Sequence, residues 1–283
     1  MKIKSACMAI FSPTDSTRKI VERIGGYLSP APTEMNLTLP ASSRAELHFL
    51  ANDLVIFGVP VYGGRVPETA RERFKILRGH RTPAVIVVTY GNRAYDDALL
   101  ELKTVVEEQG FQVIAAAAFV TEHNIVRQIA TGRPDENDLK AIDRFGAAVA
   151  RKVAEGAPSS WHKIGVPGNK EYRPYQPIPM HPKTGSGCNH CGICSRECPA
   201  GAIPADDPRQ TDASRCISCM RCTRVCPTGA RKLPWLLQWG AKRKIMPKCR
   251  ERREAEVFIW GTSLPPAYCP AYRPPDSCLE IIP

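Results

Sequence analysis

The stretch that decides how the second half of the chain folds is residues 185–230, GSGCNHCGICSRECPAGAIPADDPRQTDASRCISCMRCTRVCPTGA. It contains the run Cys188-x2-Cys191-x2-Cys194-x3-Cys198-Pro199 and, 28 residues later, the run Cys216-x2-Cys219-x2-Cys222-x3-Cys226-Pro227. The similarity extends past the cysteines, because Pro199-x-Gly201-Ala202 matches Pro227-x-Gly229-Ala230. The segment is therefore an internal duplication whose cysteines have metal-ligand spacing.

This pair of runs resembles the bacterial-type ferredoxin, a small α+β fold that holds two [4Fe–4S] clusters. In that family each half supplies three ligands to one cluster and a fourth to the other. The resemblance implies that cluster one is held by Cys188, Cys191, Cys194 and Cys226, and cluster two by Cys216, Cys219, Cys222 and Cys198.

Two other kinds of metal site are disfavoured by the spacing. Zinc ribbons use paired C-x2-C units, not two complete four-cysteine runs that each end in Cys-Pro. The C-x3-C-x2-C spacing of a radical-SAM cluster is absent. The twelve cysteines do not indicate a secreted disulfide framework either, because eight of them lie in one 39-residue window.

Residues 1–154 alternate short apolar runs with amphipathic stretches, which predicts a parallel sheet covered by helices on both faces. The predicted helices are 17–28, 94–109 and a last one from about 139 to 153, and a weaker strand is expected around Asn36–Leu39. The main predicted strands are Lys4–Phe11, Leu54–Val59, Pro83–Thr89 and Phe111–Phe119.

Three loops follow the first, second and third of these main strands and carry a phosphate- and flavin-binding pattern. A hydroxyl-rich loop at a helix N-terminus can hold a phosphate, and tyrosines beside glycines can hold an aromatic ring system. Ordinary glycine turns with solvent-facing tyrosines are the plainer interpretation of any one loop alone. The candidate FMN-binding residues are Ser12, Thr14, Ser16, Thr17, Pro60, Val61, Tyr62, Gly63, Gly64, Thr89, Tyr90, Gly91, Asn92 and Tyr95.

The first of these loops resembles the flavodoxin phosphate loop, T/S-x-T-G-x-T, at Ser12, Thr14 and Thr17, but has Asp15 where that family usually has glycine. The whole chain resembles flavodoxin-domain proteins fused to a two-cluster ferredoxin, which are common in anaerobic bacteria and archaea. This resemblance implies an α/β doubly wound sheet of order 2-1-3-4-5 with FMN at the carboxyl edge of its strands. The predicted organisation is a flavodoxin-like domain at 1–154, a Pro-rich linker at 155–184, the ferredoxin domain at 185–230, and a basic helix with a Pro-rich tail at 231–283.

These features predict an electron-transfer iron–sulfur flavoprotein, because clusters pass single electrons and a flavin can hold one or two. No nucleophile or paired-carboxylate arrangement indicates a catalytic residue. The alternative is a ferredoxin electron carrier whose N-terminal domain lacks FMN and serves as a docking module, for which Asp15 is the main argument. If the linker holds the domains apart, a homodimer would instead bring flavin and cluster together between subunits.

The net charge of +11 is concentrated after residue 150, where 21 basic residues face 11 acidic ones. This favours a negatively charged redox partner such as an acidic ferredoxin or flavodoxin. Nucleic acid is a weaker interpretation of the nine basic residues in 231–253, because a helix over Pro234–Ile245 is expected to bury Trp235, Leu236 and Trp239. No run is long enough for a membrane span, and the cytoplasm is the expected location.

Overall fold

The computed structural model describes residues 3–40, 45–156, 164–176 and 178–260. The helices are α1 (Ser16–Leu28), α2 (Glu68–Phe74), α3 (Ala98–Glu108), α4 (Glu136–Glu155), α5 (Ile193–Arg196), α6 (Arg221–Arg224) and α7 (Trp235–Ile245). The strands are β1 (Ser5–Ile10), β2 (Thr33–Asn36), β3 (Leu47–Phe49), β4 (Asp53–Pro60), β5 (Leu77–Gly79), β6 (Thr82–Tyr90), β7 (Phe111–Val120), β8 (Lys183–Thr184), β9 (Arg231–Lys232) and β10 (Glu256–Ile259).

The main sheet has six strands in the order β10-β7-β6-β4-β1-β2. The five strands other than β10 are parallel, and counted in chain order they run 2-1-3-4-5. All nine residues of β6 are buried, as expected for a central parallel strand covered on both faces. The predicted flavodoxin-like doubly wound sheet is therefore confirmed, and a small iron–sulfur-type domain follows it.

The first edge strand, β2, lies three residues earlier than the sequence predicts. It ends at Asn36, whose side-chain oxygen accepts the backbone N–H of Thr38 at 2.9 Å. Such a side-chain-to-backbone bond two residues on forms a turn, which stops the extended chain. Leu37, which the pattern places inside a strand, is instead fully buried just after it.

The predicted linker lies along the N-terminal domain through specific polar contacts. The Asp97 carboxylate accepts backbone N–H groups from Asn169 and Arg173, both at 2.9 Å. A buried, bidentate ion pair joins Arg65 and Glu101 at 2.7 Å, and Arg65 also donates to the carbonyl of Arg173. Segment 164–176 is therefore an ordered strap and not a loose tether.

Strand β10 returns the chain to the first sheet, which the sequence does not predict. It pairs antiparallel with β7, from Glu256 opposite Ala118 to Ile259 opposite Ala115. Its Glu256 carboxylate accepts a hydrogen bond from the Tyr95 hydroxyl at 2.5 Å. The Pro-rich tail from Ser263, with Cys269 and Cys278, lies outside the described residues.

The prediction that α7 buries its tryptophans is wrong. Trp235 is 72% exposed, Leu236 60% and Trp239 55%. The helix packs inward through Ala241 and Ile245, which lie on its opposite side. Because Ala241 is small, the helix can lie close to the body of the protein, and the two tryptophans are on the side that faces away from it.

Removing the core contact of β10 should destabilise the protein. Ile259 is 6% exposed in the main hydrophobic core, so Ile259→Ala is expected to lower the free energy of unfolding by about 2–4 kcal/mol. Met246→Ala, at an exposed position, should cost less than about 0.5 kcal/mol. Denaturant unfolding followed by circular dichroism measures both, and equal stability of the two variants would contradict the packing of β10 on the sheet.

Candidate metal centres and flavin site

The 28-residue repeat of the sequence is also a repeat of backbone conformation. Helices α5 and α6 begin 28 residues apart, at Ile193 and Arg221, and each is one short turn. Left-handed backbone conformations recur with the same period, at His190 and Ser218, Gly192 and Met220, and Gly201 and Gly229. Both halves therefore fold as the same loop, and the β8–β9 pair joins their ends.

The four predicted ligands of cluster two come together around one small cavity, lined among others by Cys198, Cys216, Cys219 and Cys222. Cys198 comes from the first half of the repeat, as the crossed ligand pattern requires. Burial raises the pKa of Cys219 and Cys222, that of Cys222 to about 12. Thiols of this kind are neutral unless a metal holds the thiolate, so the site suits iron–sulfur ligation.

Three of the four predicted ligands of cluster one lie nearer the surface, and only Cys194 is buried. Cys191 is exposed, and Cys188 and Cys226 are partly exposed. Burial raises the pKa of Cys226, but backbone N–H groups of Arg231, Thr228 and Ala230 outweigh it and lower the pKa overall. The equivalent N–H group in the other half, that of Ala202, donates to Cys198 Sγ at 3.2 Å.

Among the described residues, no group of three or more cysteine, histidine or carboxylate side chains is placed to hold a single metal ion. A [4Fe–4S] cluster does not require such a group, because each of its four cysteines binds a different iron.

A cavity of about 160 Å³ lies at the carboxyl edge of the sheet, where flavin binding is predicted. The sequence does not indicate its remaining walls, because they come from the loop after β7, the linker and α7. Six predicted residues line it, namely Val61, Tyr62, Gly63, Gly64, Tyr90 and Gly91, together with Arg93, Ala94, His123, Asn124, Ile125, Ile178, Met180, Ala241 and Ile245.

The predicted phosphate loop begins α1 and has two kinds of hydroxyl group. Ser12 and Thr17 are buried and already bonded, to Arg18 N–H at 3.1 Å and to Thr89 Oγ1 at 2.7 Å. Thr14 and Ser16 are half-buried, and their hydroxyl oxygens lie 3.4 Å apart. Together with the N–H groups of the first helical turn, this second pair suits a phosphate.

Asp15 stands in the left-handed conformation, with φ 61°, that the glycine of the family pattern adopts without cost. Its carboxylate does not cap α1 but forms an ion pair with Arg221 at 3.2 Å. Arg221 also pairs with Glu197 at 2.5 Å and donates to the carbonyl of Pro13. Since Arg221 and Glu197 precede the predicted ligands Cys222 and Cys198, this ion-pair network ties the phosphate loop to cluster two.

Eight predicted flavin residues do not line the cavity, namely the phosphate-loop residues Ser12, Thr14, Ser16 and Thr17, and also Pro60, Thr89, Asn92 and Tyr95. Thr89 bonds to Thr17. Pro60, at the end of β4, is the register partner of Thr89 in β6. Asn92 holds the chain before β10, because its side chain bonds to the carbonyls of Cys249 and Glu251 and to the N–H of Arg253. Tyr95 packs edge-on against Tyr90 and bonds to Glu256.

His123 follows β7 and lines the cavity, although a histidine in a loop is more often an ordinary surface residue. Its Nδ1 accepts the backbone N–H groups of Ile125 and Val126, both at 3.1 Å. Burial, with a smaller effect of Arg93, lowers the pKa of His123 to about 4. The ring is therefore neutral near pH 7 and carries its proton on Nε2.

Comparison with known protein families identifies the cysteine-rich segment. Residues 187–230 match the family model of the 4Fe-4S dicluster domain. No curated protein matches the chain. Among the described residues, no helix is long and apolar enough to cross a membrane.

Solved structures resemble the N-terminal domain at low identity. A flavodoxin from the domain Archaea is 15% identical, with a TM-score of 0.36 over 53% of this chain and 99% of that chain. The apo form of an NADH:FMN oxidoreductase (EMOB) is 16% identical, with a TM-score of 0.42 over 56% and 95%. The flavodiiron core of Flv1 from Synechocystis sp. PCC6803 is 16% identical, with a TM-score of 0.39 over 54% of this chain but only 37% of that chain.

Because these scores are low, the strand order and not the likeness defines the N-terminal fold. The chain joins a flavodoxin-like α/β domain to a 4Fe-4S dicluster domain.

Replacing one crossed ligand should remove one cluster. Cys198→Ala is expected to lower iron from about eight to about four atoms per chain, because cluster two loses its fourth thiolate. Cys249→Ser, outside both predicted ligand sets, should leave iron unchanged. Iron and acid-labile sulfide analysis of protein purified without oxygen measures this, and full iron content in C198A would contradict the crossed assignment.

The histidine should not contribute to the pH dependence of flavin affinity. Because the pKa of His123 is about 4, any change of FMN affinity between about pH 5.5 and pH 8 should come from the FMN phosphate, whose second pKa is about 6, and should be the same in the parent and in His123→Asn. His123→Asn keeps an oxygen acceptor for the two N–H groups and should bind FMN within about threefold of the parent. Fluorescence titration of both flavin-free proteins tests this, and a transition that the parent shows and His123→Asn lacks would contradict a neutral His123.

Proposed function

We propose that the protein is an iron–sulfur flavoprotein that passes electrons between two [4Fe–4S] clusters, FMN and an external redox partner. The observation that carries this is the contact between the cluster-two loop and the wall of the predicted flavin cavity. Asn124, in that wall, donates to the carbonyl of Ser218 at 3.4 Å. The Ser218 hydroxyl in turn donates to the carbonyl of Ile178 at 2.5 Å, another wall residue.

Two side chains support a short path between the proposed cofactors. Tyr62 lines the cavity and is 7% exposed, and burial, with a smaller effect of Cys219, raises its pKa well above the ordinary value. Met220, between Cys219 and Cys222, packs in one apolar cluster with Ile125 and Ala241, which also line the cavity. Buried protein atoms thus lie between the predicted cluster-two ligands and the predicted flavin cavity.

The exposure of the two cysteine groups supports an order of the cofactors. Cys188, Cys191 and Cys226 of the first group are at least partly exposed, whereas the second group lines a small cavity, so cluster one would lie nearer the solvent and cluster two nearer the flavin cavity. When bound, the clusters supply one-electron transfer and FMN supplies conversion between one- and two-electron chemistry. The chain's own residues hold the groups, keep them close together and exclude solvent.

The charge of the chain supports an acidic redox partner, and its free thiols support a reducing location. The excess of basic residues after residue 150 suits an acidic ferredoxin or flavodoxin as partner. All ten described cysteines are free thiols, which suits a reducing cytoplasm. Because cluster-two residues contact the flavin cavity within one chain, electron transfer between them does not require a homodimer.

One observation favours the alternative of a ferredoxin carrier without FMN. The cavity of about 160 Å³ is smaller than ordinary ligand pockets of about 300–1,000 Å³, because Ile178, Met180, Ala241 and Ile245 extend into the region. Asp15 favours this alternative less than the sequence suggests, since its carboxylate pairs with Arg221 and makes no capping hydrogen bond to α1.

Cofactor analysis separates the two functions. Iron, acid-labile sulfide and acid-extracted FMN are measured per chain on protein purified without oxygen. The proposed function predicts about eight irons, about eight sulfides and about one FMN. Iron and sulfide without flavin, even after incubation with FMN, would establish the carrier alternative.

The ion pair between the domains should affect electron transfer more than flavin binding. Asp15→Gly is expected to retain FMN, because glycine adopts the same backbone conformation. It should slow flavin reduction by the clusters severalfold, because the contact with Arg221 is lost. Rapid mixing with reduced methyl viologen follows the flavin absorbance, and Glu22→Gln, on the same helix, is the matched control.

An unchanged rate in D15G would show that Asp15 does not help to position the cluster-two loop. Loss of FMN in D15G would show that the carboxylate itself takes part in flavin binding.

A further inference from the structure

Helix α7 separates the predicted flavin cavity from an exposed aromatic surface. Ala241 and Ile245 line the cavity on its inner side. Trp235, Leu236 and Trp239 lie on the other side, at spacings that place them together with Arg243 on one helical face. We call these four residues the outer face of α7. Large exposed apolar groups of this kind mark interaction sites in soluble proteins.

The outer face carries residue types that are frequent at the centre of protein–protein interfaces. Tryptophan and arginine are the commonest residues whose truncation costs binding energy. The Arg243 guanidinium lies over the Trp239 ring, 5.5 Å from its centroid. This contact holds both side chains in place before any partner arrives, which lowers the entropic cost of binding.

The chain segment that contains the outer face is basic. Residues 231–250 contain seven lysines and arginines and no acidic residue. Lys242, Arg243 and Lys244 form no ion pair with any carboxylate in the described part of the chain. A favourable interaction with the C-terminus of α7 accounts for cations in its last turn, but not for the exposed tryptophans beside them.

Two lysines that face each other across a pair of strands precede the helix. Strands β8 and β9 place Lys183 directly opposite Lys232, and both are exposed. Like charges directly opposite each other destabilise a strand pair. Their repulsion would be relieved by a negatively charged partner seated next to α7.

We propose that the outer face of α7 is the docking site of an acidic one-electron carrier protein. This inference rests on the proposed function, because it makes α7 the wall across which that carrier and the flavin region exchange electrons. A helix with its side chains is about 10–12 Å across, so a docked carrier lies about one helix diameter from the cavity. Each transfer leaves the carrier oxidised by one electron and this protein reduced by one, and no bond forms or breaks.

Charge and location favour a protein over an anionic membrane or a nucleic acid. The two exposed tryptophans lie on one short helix whose other side lines the predicted cofactor cavity. This juxtaposition serves electron exchange with a carrier, whereas a lipid or a nucleic acid gains nothing from the cavity behind the helix.

The test uses the anaerobically purified full-length protein and, as probe, an acidic bacterial ferredoxin with two [4Fe–4S] clusters. Calorimetry measures binding of the oxidised ferredoxin, a readout that does not depend on electron transfer. Trp239→Ser should weaken binding about tenfold or more, and Arg243→Glu should weaken it similarly and flatten its dependence on salt. Leu50→Ser and Arg151→Glu, exposed and outside the outer face, are the matched controls and should bind within about twofold of the parent.

Unchanged ferredoxin binding by W239S and R243E, or no binding by the parent protein, would overturn the proposal. So would tighter binding of the outer face to phosphatidylglycerol vesicles or to single-stranded DNA, lost in the same variants. Iron and FMN contents measured on each sample keep the two questions apart. Ferredoxin binding that depends on Trp239 in protein without FMN would support docking while the proposed function fails.

Discussion

The pairing of β10 with β7 is the constraint on which the rest of the structure depends. The chain leaves the first domain after α4, forms the duplicated cysteine loops and α7, and returns to the same sheet as its sixth strand. Both ends of the cysteine-bearing segment are thereby fixed to one rigid body. The position of α7 over the cavity follows from this, because α7 lies only a few residues before β10.

The fixed ends also explain the specific contacts made by the described part of the predicted linker. A tether between two independent domains needs no specific contacts, and its length alone sets how often they meet. Here segment 164–176 bonds to Arg65 and Asp97, and Ile178 and Met180 form part of the cavity wall. The chain thus fixes the geometry between its domains and does not leave it to diffusion.

Asp15 shows how a departure from a family pattern can acquire a structural role. Its backbone keeps the left-handed turn that favours glycine, at a small conformational cost that aspartate tolerates better than most residues. The side chain that glycine lacks then reaches Arg221. A position that weakens the flavodoxin resemblance at the level of sequence is, in three dimensions, a contact between the two domains.

The sequence predicts those features that depend on local pattern or on duplication. The parallel strands follow from short apolar runs, and the crossed cysteine sets follow from the family resemblance. Strand β10 is not predictable in this way, because four residues just after a basic segment give little periodicity and their partner lies more than a hundred residues away. The exposure of Trp235 and Trp239 is missed for a related reason, since the composition of a helix does not tell which of its sides the rest of the chain will cover. His123 follows a predicted strand, but a histidine in a loop is more often on the surface, so the sequence alone does not place it in the cavity wall.

We propose that electrons pass between cluster two and the flavin within one chain. The most direct test is the rate of flavin reduction after rapid anaerobic reduction of the clusters, measured over about a tenfold range of protein concentration. Transfer within one chain predicts the same first-order rate constant at every concentration. A rate that rises in proportion to concentration, or clusters that stay reduced beside an oxidised flavin, would contradict the account.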